Sequence, residues 1–188
     1  NGFTRQVLPF TPSELQYYAD VFEELTGHAL KEHLGGNGEF MVFGANNSHG
    51  GLSDFPNKIS HLAKQLKVQL GEGYKSPRYK DGGVDVVAWK HFNDKRTGMP
   101  VYLAQATIGD EFLRKSNDIN LNNWKAWIKF ANDPQLVIST PCQLAFDETW
   151  KEVTRNVDML FDRSRIAQTE FQINVPGLEN FTEKIEER

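Results

Sequence analysis

The stretch that decides the fold is residues 81–89, DGGVDVVAW, in which one aspartate lies inside a run of β-branched and apolar residues. A run of this composition predicts a buried strand. A second such run follows at residues 101–108, and the segment 91–100 between the two is rich in the residues that favour turns. The two runs therefore predict a β-hairpin, with Asp85 in its first strand and Gln105 in its second.

Asp85 is the chemically unusual residue of this hairpin. A buried carboxylate lowers stability unless it is paired or binds a cation. Alternation along a strand places Asp85 on the same face as Val87 and Trp89. Gln105 brings a second oxygen-bearing side chain to the adjacent strand, and oxygen atoms are the ligands that Mg²⁺ prefers. Asp85 and Gln105 together predict a site for a hard cation.

Amphipathic helices and short strands surround the hairpin. Thr11-Pro12-Ser13-Glu14 is typical of a helix start, and apolar residues at helical spacing predict a helix from there to Gly27. The same spacing predicts further helices over residues 56–70, 122–130 and 147–161. The short apolar run at residues 40–43 predicts a buried strand or a helix-flanking segment, and the run at 135–140 predicts a strand. This order of elements predicts the α/β class.

The composition is that of a globular protein. The chain has 188 residues, of which 39% are hydrophobic and 24% charged. This length favours one domain, expected over residues 1–175 with a polar tail at 176–188. No apolar run is long enough to cross a bilayer, and the single cysteine, Cys142, fits a reducing cytoplasm. Because the chain begins at Asn1, we expect a processed product or a piece of a longer protein.

The charge is unevenly distributed along the chain. A formal net charge of −4 argues at first against nucleic-acid binding. However, residues 58–129 hold 13 Lys+Arg against 7 Asp+Glu, whereas the segments before and after this one are each net −5. The basic segment contains the hairpin, so it is where a phosphate backbone would dock. Its lysines predicted to contact nucleic acid are Lys90, Lys115, Lys125 and Lys129.

Two motifs of the hairpin resemble a known superfamily. Gly83-Val84-Asp85, followed on the next strand by Gln105-Ala106-Thr107, resembles the PD-(D/E)XK restriction-endonuclease-like nucleases, over about residues 11–165. Asn123-Trp124-Lys125 and residues 161–166, FDRSRI, look like a bacterial branch associated with restriction and anti-phage defence. The resemblance implies a restriction-endonuclease-like core, with a central mixed sheet, a hairpin that carries the site and flanking helices.

The resemblance also implies an activity and its residues. We expect a nuclease that hydrolyses DNA phosphodiester bonds with Mg²⁺, or Mn²⁺ as an alternative ion, in the cytoplasm. By position in the motif, Asp85 is the metal-binding aspartate and Gln105 occupies the second ligand position. An acid from the first helix completes the metal site, and Glu23 is chosen over Glu24 because it lies nearer the apolar stripe of that helix.

One departure from the family leaves a second function open. The family lysine, two residues after Gln105, is Thr107 in this chain. A lysine from a later helix can replace it, and Lys125 is the predicted replacement, with Lys115 behind it. If neither reaches the site, the chain is a nuclease-like fold without catalysis that binds nucleic acid or protein. In either case the implied partners are DNA and a partner domain or protein of a defence system, and a homo-oligomer is compatible with both.

A simpler interpretation stands beside each of these residues. An aspartate after Gly-Val at a strand start is often a turn or cap residue, and a glutamate beside a helix stripe is often solvated. The sequence offers no zinc-ligand spacing, no P-loop and no catalytic triad, so a small-molecule enzyme has no motif behind it. The nuclease hypothesis therefore depends on Asp85 and Gln105 together.

Overall fold

The computed structural model describes residues 11–43, 54–77, 81–109 and 112–169. Within these ranges the strands form one five-stranded sheet in the order β1-β2-β3-β4-β5. The strands are β1 (Glu39–Val42), β2 (Val86–Trp89), β3 (Val101–Ala106), β4 (Gln135–Ser139) and β5 (Met159–Phe161). Strand β2 is antiparallel to both β1 and β3, whereas β3, β4 and β5 are parallel to one another. The predicted α/β class is confirmed, whereas the predicted tail at 176–188 lies outside the described residues.

Helices cover both faces of this sheet. In the described ranges they are α1 (Pro12–His33), α2 (Phe55–Leu66), α3 (Phe112–Lys115), α4 (Leu121–Trp127), α5 (Glu148–Asn156) and α6 (Arg163–Ala167). The core on the α1 face includes Leu30 and Val86. The core on the opposite face joins Ile59 of α2 and Trp124 of α4 to Leu103 of β3. None of the helices in the described ranges has the length and apolar character needed to span a membrane.

The predicted hairpin is confirmed, with β2 and β3 as its strands. Val86 pairs with Ala104 and Trp89 with Val101, so the turn connects Trp89 to Val101. The two hairpin residues next to the Val86–Ala104 pair, at the end away from the turn, are Asp85 and Gln105. The hairpin therefore brings together the two residues on which the sequence hypothesis depends.

The start of α1 follows the sequence prediction, but its end does not. The Thr11 side chain accepts a hydrogen bond from the Glu14 amide while the Glu14 carboxylate accepts one from the Thr11 amide, which is the predicted capping box. The helix runs past Gly27 to His33. Gly27 lies inside the helix because Phe40 of β1 packs directly on it: a Cβ there would lie 2.3 Å from the Phe40 ring. The glycine serves close packing, not helix termination.

The predicted helix over residues 147–161 is wrong in its second half. Helix α5 ends at Asn156, and the chain then forms β5 beside β4. Asp158 joins the chain to β4 immediately before β5 begins. Its amide donates a hydrogen bond to the Leu136 carbonyl, and its carboxylate accepts one from the Leu136 amide at 2.7 Å. Pairing with β4 outweighs the helical spacing of the apolar residues. The predicted helix over 56–70 also ends early, at Leu66, since Lys67 adopts a left-handed conformation with φ 57°.

Candidate functional site

The candidate site lies at the open end of the β2–β3 hairpin. The carboxyl ends of β3 and β4 meet here, where Ala106 pairs with Ser139. Ligands of open α/β sheets commonly bind outside the carboxyl ends of the strands. One wall of the site is the loop that enters β2, and helix α4 supports this loop through Trp124, whose indole nitrogen donates to the Gly82 carbonyl at 3.0 Å.

The two glycines of that loop allow it to pass close to its neighbours. Gly82 and Gly83 have φ values of +65° and +79°, a region that side chains disfavour. A Cβ on Gly83 would lie 2.6 Å from the Asp118 carbonyl oxygen. The Gly83 amide also donates to the Asp81 carboxylate at 2.8 Å. The two glycines therefore allow the loop before β2 to adopt positive φ values and to pass close to Asp118.

Asp85 has a buried carboxylate that is only partly compensated. Its Oδ2 atom accepts a hydrogen bond from the Ala106 amide at 2.9 Å, so the side chain reaches across the hairpin. Burial raises the pKa of Asp85 to about 6; the Ala106 hydrogen bond and the charge of Lys115 lower the pKa, while Asp81 and Asp118 raise it further. At neutral pH the carboxylate is mostly ionised in surroundings that disfavour its charge.

Gln105, the residue of β3 that follows the Val86–Ala104 pair, has a buried polar atom with no partner. The residue is 6% exposed, and its buried Oε1 atom accepts no hydrogen bond. A buried acceptor left without a donor costs about 1–3 kcal/mol. A bound cation would satisfy both this oxygen and the charge of Asp85. Asp85 and Gln105 therefore place a disfavoured charge and an oxygen without a donor at the open end of the hairpin.

Glu23 is buried on α1, as its position near the apolar stripe predicts. The adjacent Glu24 faces outward and pairs with His28 at 3.7 Å. One turn further along α1, the Thr26 hydroxyl donates to the Ser139 hydroxyl at 2.9 Å. Residues three apart lie on the same side of a helix, so Glu23 is presented toward the carboxyl ends of the strands. The role of Glu23 as a metal ligand stays a prediction.

Lys58 is a charged residue of this region that the sequence analysis missed. It is 4% exposed, and its ammonium donates to the Phe43 carbonyl at 3.1 Å. Burial lowers the pKa of Lys58, whereas the charges of Asp81 and Glu23 raise it. The missed signal is its place in the sequence: Lys58 lies four residues before Leu62, on the apolar stripe of α2, where a lysine is unusual.

The predicted replacement lysine, Lys125, makes a different contact. Its ammonium pairs with Asp133 at 2.7 Å on an exposed part of the surface. The charges that act on Asp85 include Lys115 but not Lys125. The structure therefore places Lys115 near the aspartate and directs Lys125 to another partner.

The other two lysines predicted to contact nucleic acid lie apart from Asp85. Lys90 follows the last residue of β2, about 16 Å along the strand at about 3.3 Å per residue, and its ammonium donates to the Leu34 carbonyl at 2.6 Å. Lys129 is exposed beyond the end of α4. Lys90 therefore lies toward the turn of the hairpin and not at the site.

The residues present fit a small oxygen-ligand site. Within the described parts of the chain, no group of three or more His, Cys, Asp or Glu side chains is gathered closely enough to hold a metal ion. Mg²⁺ is commonly bound through one or two carboxylates and keeps several waters. Asp85 supplies a carboxylate and Gln105 an amide oxygen that lacks a donor. This donor set suits Mg²⁺ or Mn²⁺ and does not form a cage of several carboxylates.

Comparisons with known proteins identify no relative of this chain. No protein-family model matches the chain, no curated protein matches it significantly, and no solved structure does so. The argument for function therefore rests on the geometry and chemistry of the site itself.

Proposed function

We propose that this chain is a metal-dependent nuclease that hydrolyses DNA phosphodiester bonds, with Mg²⁺ or Mn²⁺ held by Asp85 and Gln105. The observation that carries the proposal is that the open end of the hairpin holds both the Gln105 Oε1 atom, which has no partner, and the buried carboxylate of Asp85. A cation bound by both residues would offset the charge of Asp85 and give the Gln105 oxygen a partner. Bacterial anti-phage defence in the cytoplasm is the setting that the family resemblance implies.

The placement of the residues supports this proposal. An acid lies on α1, an aspartate and a glutamine lie at the open end of the hairpin, and a helix and a parallel strand follow. This is the order that the resemblance to PD-(D/E)XK nucleases implies. The segment that contains the hairpin is also the basic part of the chain, with 13 Lys+Arg against 7 Asp+Glu in residues 58–129.

The mechanism assigns each residue an electrostatic role. A Mg²⁺ ion, when bound, would supply a water of lowered pKa and offset negative charge on the phosphate. Asp85 would hold the ion with its carboxylate, which accepts a hydrogen bond from the Ala106 amide. Gln105 contributes an oxygen without charge, so Asp85 and Glu23 provide the negative charge of the site. Lys115 adds positive charge near Asp85, where a phosphate would approach.

Asp85→Asn tests the proposal directly. This substitution keeps the shape of the side chain and removes its charge, and we expect Mg²⁺-dependent cleavage of DNA to fall at least about 100-fold. Cleavage is measured on plasmid and on labelled single- and double-stranded oligonucleotides, with Mg²⁺ and with Mn²⁺. Asp94→Asn, at the exposed turn of the same hairpin, is the matched control and should cleave like the wild type. Equal cleavage by the wild type and the Asp85 variant would refute the assignment.

A binding module without catalysis is the second candidate. It is favoured by Thr107 at the position of the family lysine and by the lack of a three-carboxylate group in the described residues. Under this alternative, the protein binds nucleic acid or a protein partner without a divalent ion and cleaves nothing with Mg²⁺, Mn²⁺ or other divalent ions. Binding measured in EDTA, together with cleavage assays across these ions, separates the two functions.

A further inference from the structure

Tyr74 carries an aromatic ring that faces solvent. It lies in the segment between α2 and β2 and is 79% exposed, so its ring contributes little to the hydrophobic core. Single exposed apolar side chains are common on protein surfaces, and exposure alone assigns no role to this one. What distinguishes Tyr74 is the way in which the backbone around it is held.

The backbone before Tyr74 is bonded to the end of α4. The Gly71 amide donates to the Trp127 carbonyl at 2.8 Å. The Gly73 amide donates to the Ala126 carbonyl, also at 2.8 Å. A Cβ on Gly73 would lie 2.8 Å from that same carbonyl oxygen, so glycine allows this close approach. Hydrogen bonds and close packing therefore hold the segment that leads to Tyr74.

Tyr74 and the residue after it are held as well. The Tyr74 carbonyl accepts a hydrogen bond from the Trp127 indole nitrogen at 2.9 Å. The Lys75 ammonium donates to the carbonyls of Gly71 and Gly73 at 2.9 Å and 3.0 Å. Ordering a backbone lowers its conformational entropy, and here the ordered segment presents an aromatic ring to solvent. A ring on a backbone that is already ordered loses less entropy when it binds a ligand.

Trp127 also connects Tyr74 to the candidate site. A Cβ on Gly82 would lie 3.0 Å from the Trp127 ring, so the indole lies between Gly82 and the Tyr74 carbonyl. Gly82 belongs to the loop that forms one wall of the site and leads to Asp85. Tyr74 is therefore one indole ring away from the wall of the site.

The charges near Tyr74 favour a polyanion. Residues 69–75 and 121–130 hold one acid, Glu72, and three lysines, Lys75, Lys125 and Lys129. Proteins that bind single-stranded nucleic acid combine positive charge, which attracts the phosphate backbone, with aromatic rings on which bases stack. An internal base of a duplex is covered on both faces by its neighbours, so only an unpaired base offers a face to a ring.

We propose that Tyr74 binds an unpaired nucleobase of single-stranded DNA by stacking its ring on the base beside the candidate site. The inference rests on the proposed nuclease function for the choice of DNA, and it names single-stranded DNA as the preferred substrate class. The ring supplies affinity for the base, and the lysines near it attract the phosphate backbone.

The test measures the Kd of the full chain for DNA in EDTA, so that binding is separated from metal-dependent cleavage. Fluorescence anisotropy compares a labelled single-stranded oligonucleotide of mixed sequence with its full-length duplex. We expect Tyr74→Ala to raise the Kd for the single strand about 10-fold, while its Kd for the duplex and its Tm stay close to those of the wild type. Phe92→Ala is the matched control, because Phe92 is another exposed aromatic residue of the basic segment, and it should bind both DNAs like the wild type.

Two further variants separate stacking from general apolar contact. Tyr74→Phe keeps the ring and should bind the single strand like the wild type, whereas Tyr74→Leu should bind it as weakly as Tyr74→Ala. Single-strand binding by Tyr74→Ala at the wild-type Kd would overturn the inference. Equal losses for single strand and duplex, or equal losses in Tyr74→Ala and Phe92→Ala, would also overturn it. If Tyr74→Ala does not fold, weaker binding by Tyr74→Leu than by Tyr74→Phe supports the inference, and equal binding contradicts it.

Failure of this inference is distinguishable from failure of the proposed function. If the wild type binds the single strand through Tyr74 but cleaves no DNA with any divalent ion, the nuclease function is refuted and the role of Tyr74 stands. If the wild type cleaves DNA, Asp85→Asn does not and Tyr74→Ala binds the single strand normally, only the role of Tyr74 is refuted. A wild type that neither binds nor cleaves DNA refutes both.

Discussion

The two ends of the β2–β3 hairpin each contain an aspartate, and the two aspartates lie in opposite surroundings. At the turn, Asp94 has a side chain that is 54% exposed and lies 3.8 Å from the Arg96 guanidinium. Its carboxylate also accepts a hydrogen bond from the Arg96 amide at 3.0 Å. At the open end, Asp85 is buried with a raised pKa and the Gln105 Oε1 atom has no partner. Polar groups that reduce stability where they lie are more informative about function than the same groups in water.

The glycines of the two ends give the largest expected difference in stability. Gly83, before β2, has φ +79° and would place a Cβ 2.6 Å from the Asp118 carbonyl oxygen. Gly98, in the turn, has φ +95°, and the nearest atom to its Cβ would be 3.9 Å away. We expect Gly83→Ala to lower the free energy of unfolding by about 3 kcal/mol and Gly98→Ala by about 1 kcal/mol, because only the first adds a clash to the backbone strain.

Urea denaturation of the two alanine variants measures this difference. Equal losses of free energy at Gly83 and Gly98 would contradict it, because they would show that the loop before β2 moves away from Asp118 at no cost.

Asp85→Asn is expected to stabilise the protein at pH 7.5. The pKa of Asp85 is about 6 in the folded protein and about 4 in an unfolded chain, a difference that corresponds to about 3 kcal/mol. Since the folded value is the higher one, the wild type is most stable relative to this variant below pH 4 and loses that stability as the pH rises through 6. The free energy of unfolding of both proteins, measured from pH 4 to pH 7.5, checks the prediction.

The matched control for this pH dependence is Asp94→Asn at the turn. Mg²⁺ should raise the Tm of the wild type but not that of Asp85→Asn. If the difference in free energy of unfolding between the wild type and Asp85→Asn does not vary with pH, burial does not disfavour the charge of Asp85 in the wild type.

Gln105→Leu is expected to have a smaller stabilising effect. It removes a buried oxygen that lacks a donor, so we expect a gain of about 1–2 kcal/mol in the free energy of unfolding, together with a weaker Mg²⁺-dependent rise in Tm. Gln135→Leu, at the exposed start of β4, is the control and should change neither quantity appreciably. Loss of stability in Gln105→Leu would mean that the amide has a stabilising partner, and the argument for an ion there would fail.

The smallest expected effect is at the turn itself. The Arg96 side chain is 86% exposed, and exposed ion pairs contribute at most about 1 kcal/mol. Arg96→Ala should therefore change the free energy of unfolding by less than about 0.5 kcal/mol. A thermal melt of Arg96→Ala is sufficient to detect a larger loss of stability. Such a loss would show that the exposed turn also contributes strongly to stability, which contradicts the contrast between the two ends of the hairpin.

Much of the fold could be predicted because its signals are local. The capping box at Thr11 and the turn residues between β2 and β3 act over a few neighbours, so they can be recognised in the sequence alone. The errors arose where a distant segment decided the outcome. Gly27 has the local character of a helix end but accommodates Phe40, and residues 159–161 have helical spacing but pair with β4.

The candidate site divides in the same way. The sequence by itself determined that Asp85 and Gln105 would lie at the same end of the hairpin, because hairpin pairing depends only on neighbouring residues and the turn. Only the tertiary structure decided that the Gln105 oxygen would lack a donor, that Lys58 would be buried near Glu23 and Asp81, and that Lys125 would pair with Asp133. Burial and electrostatic environment are sums over many residues from distant parts of the chain, and no local pattern contains them.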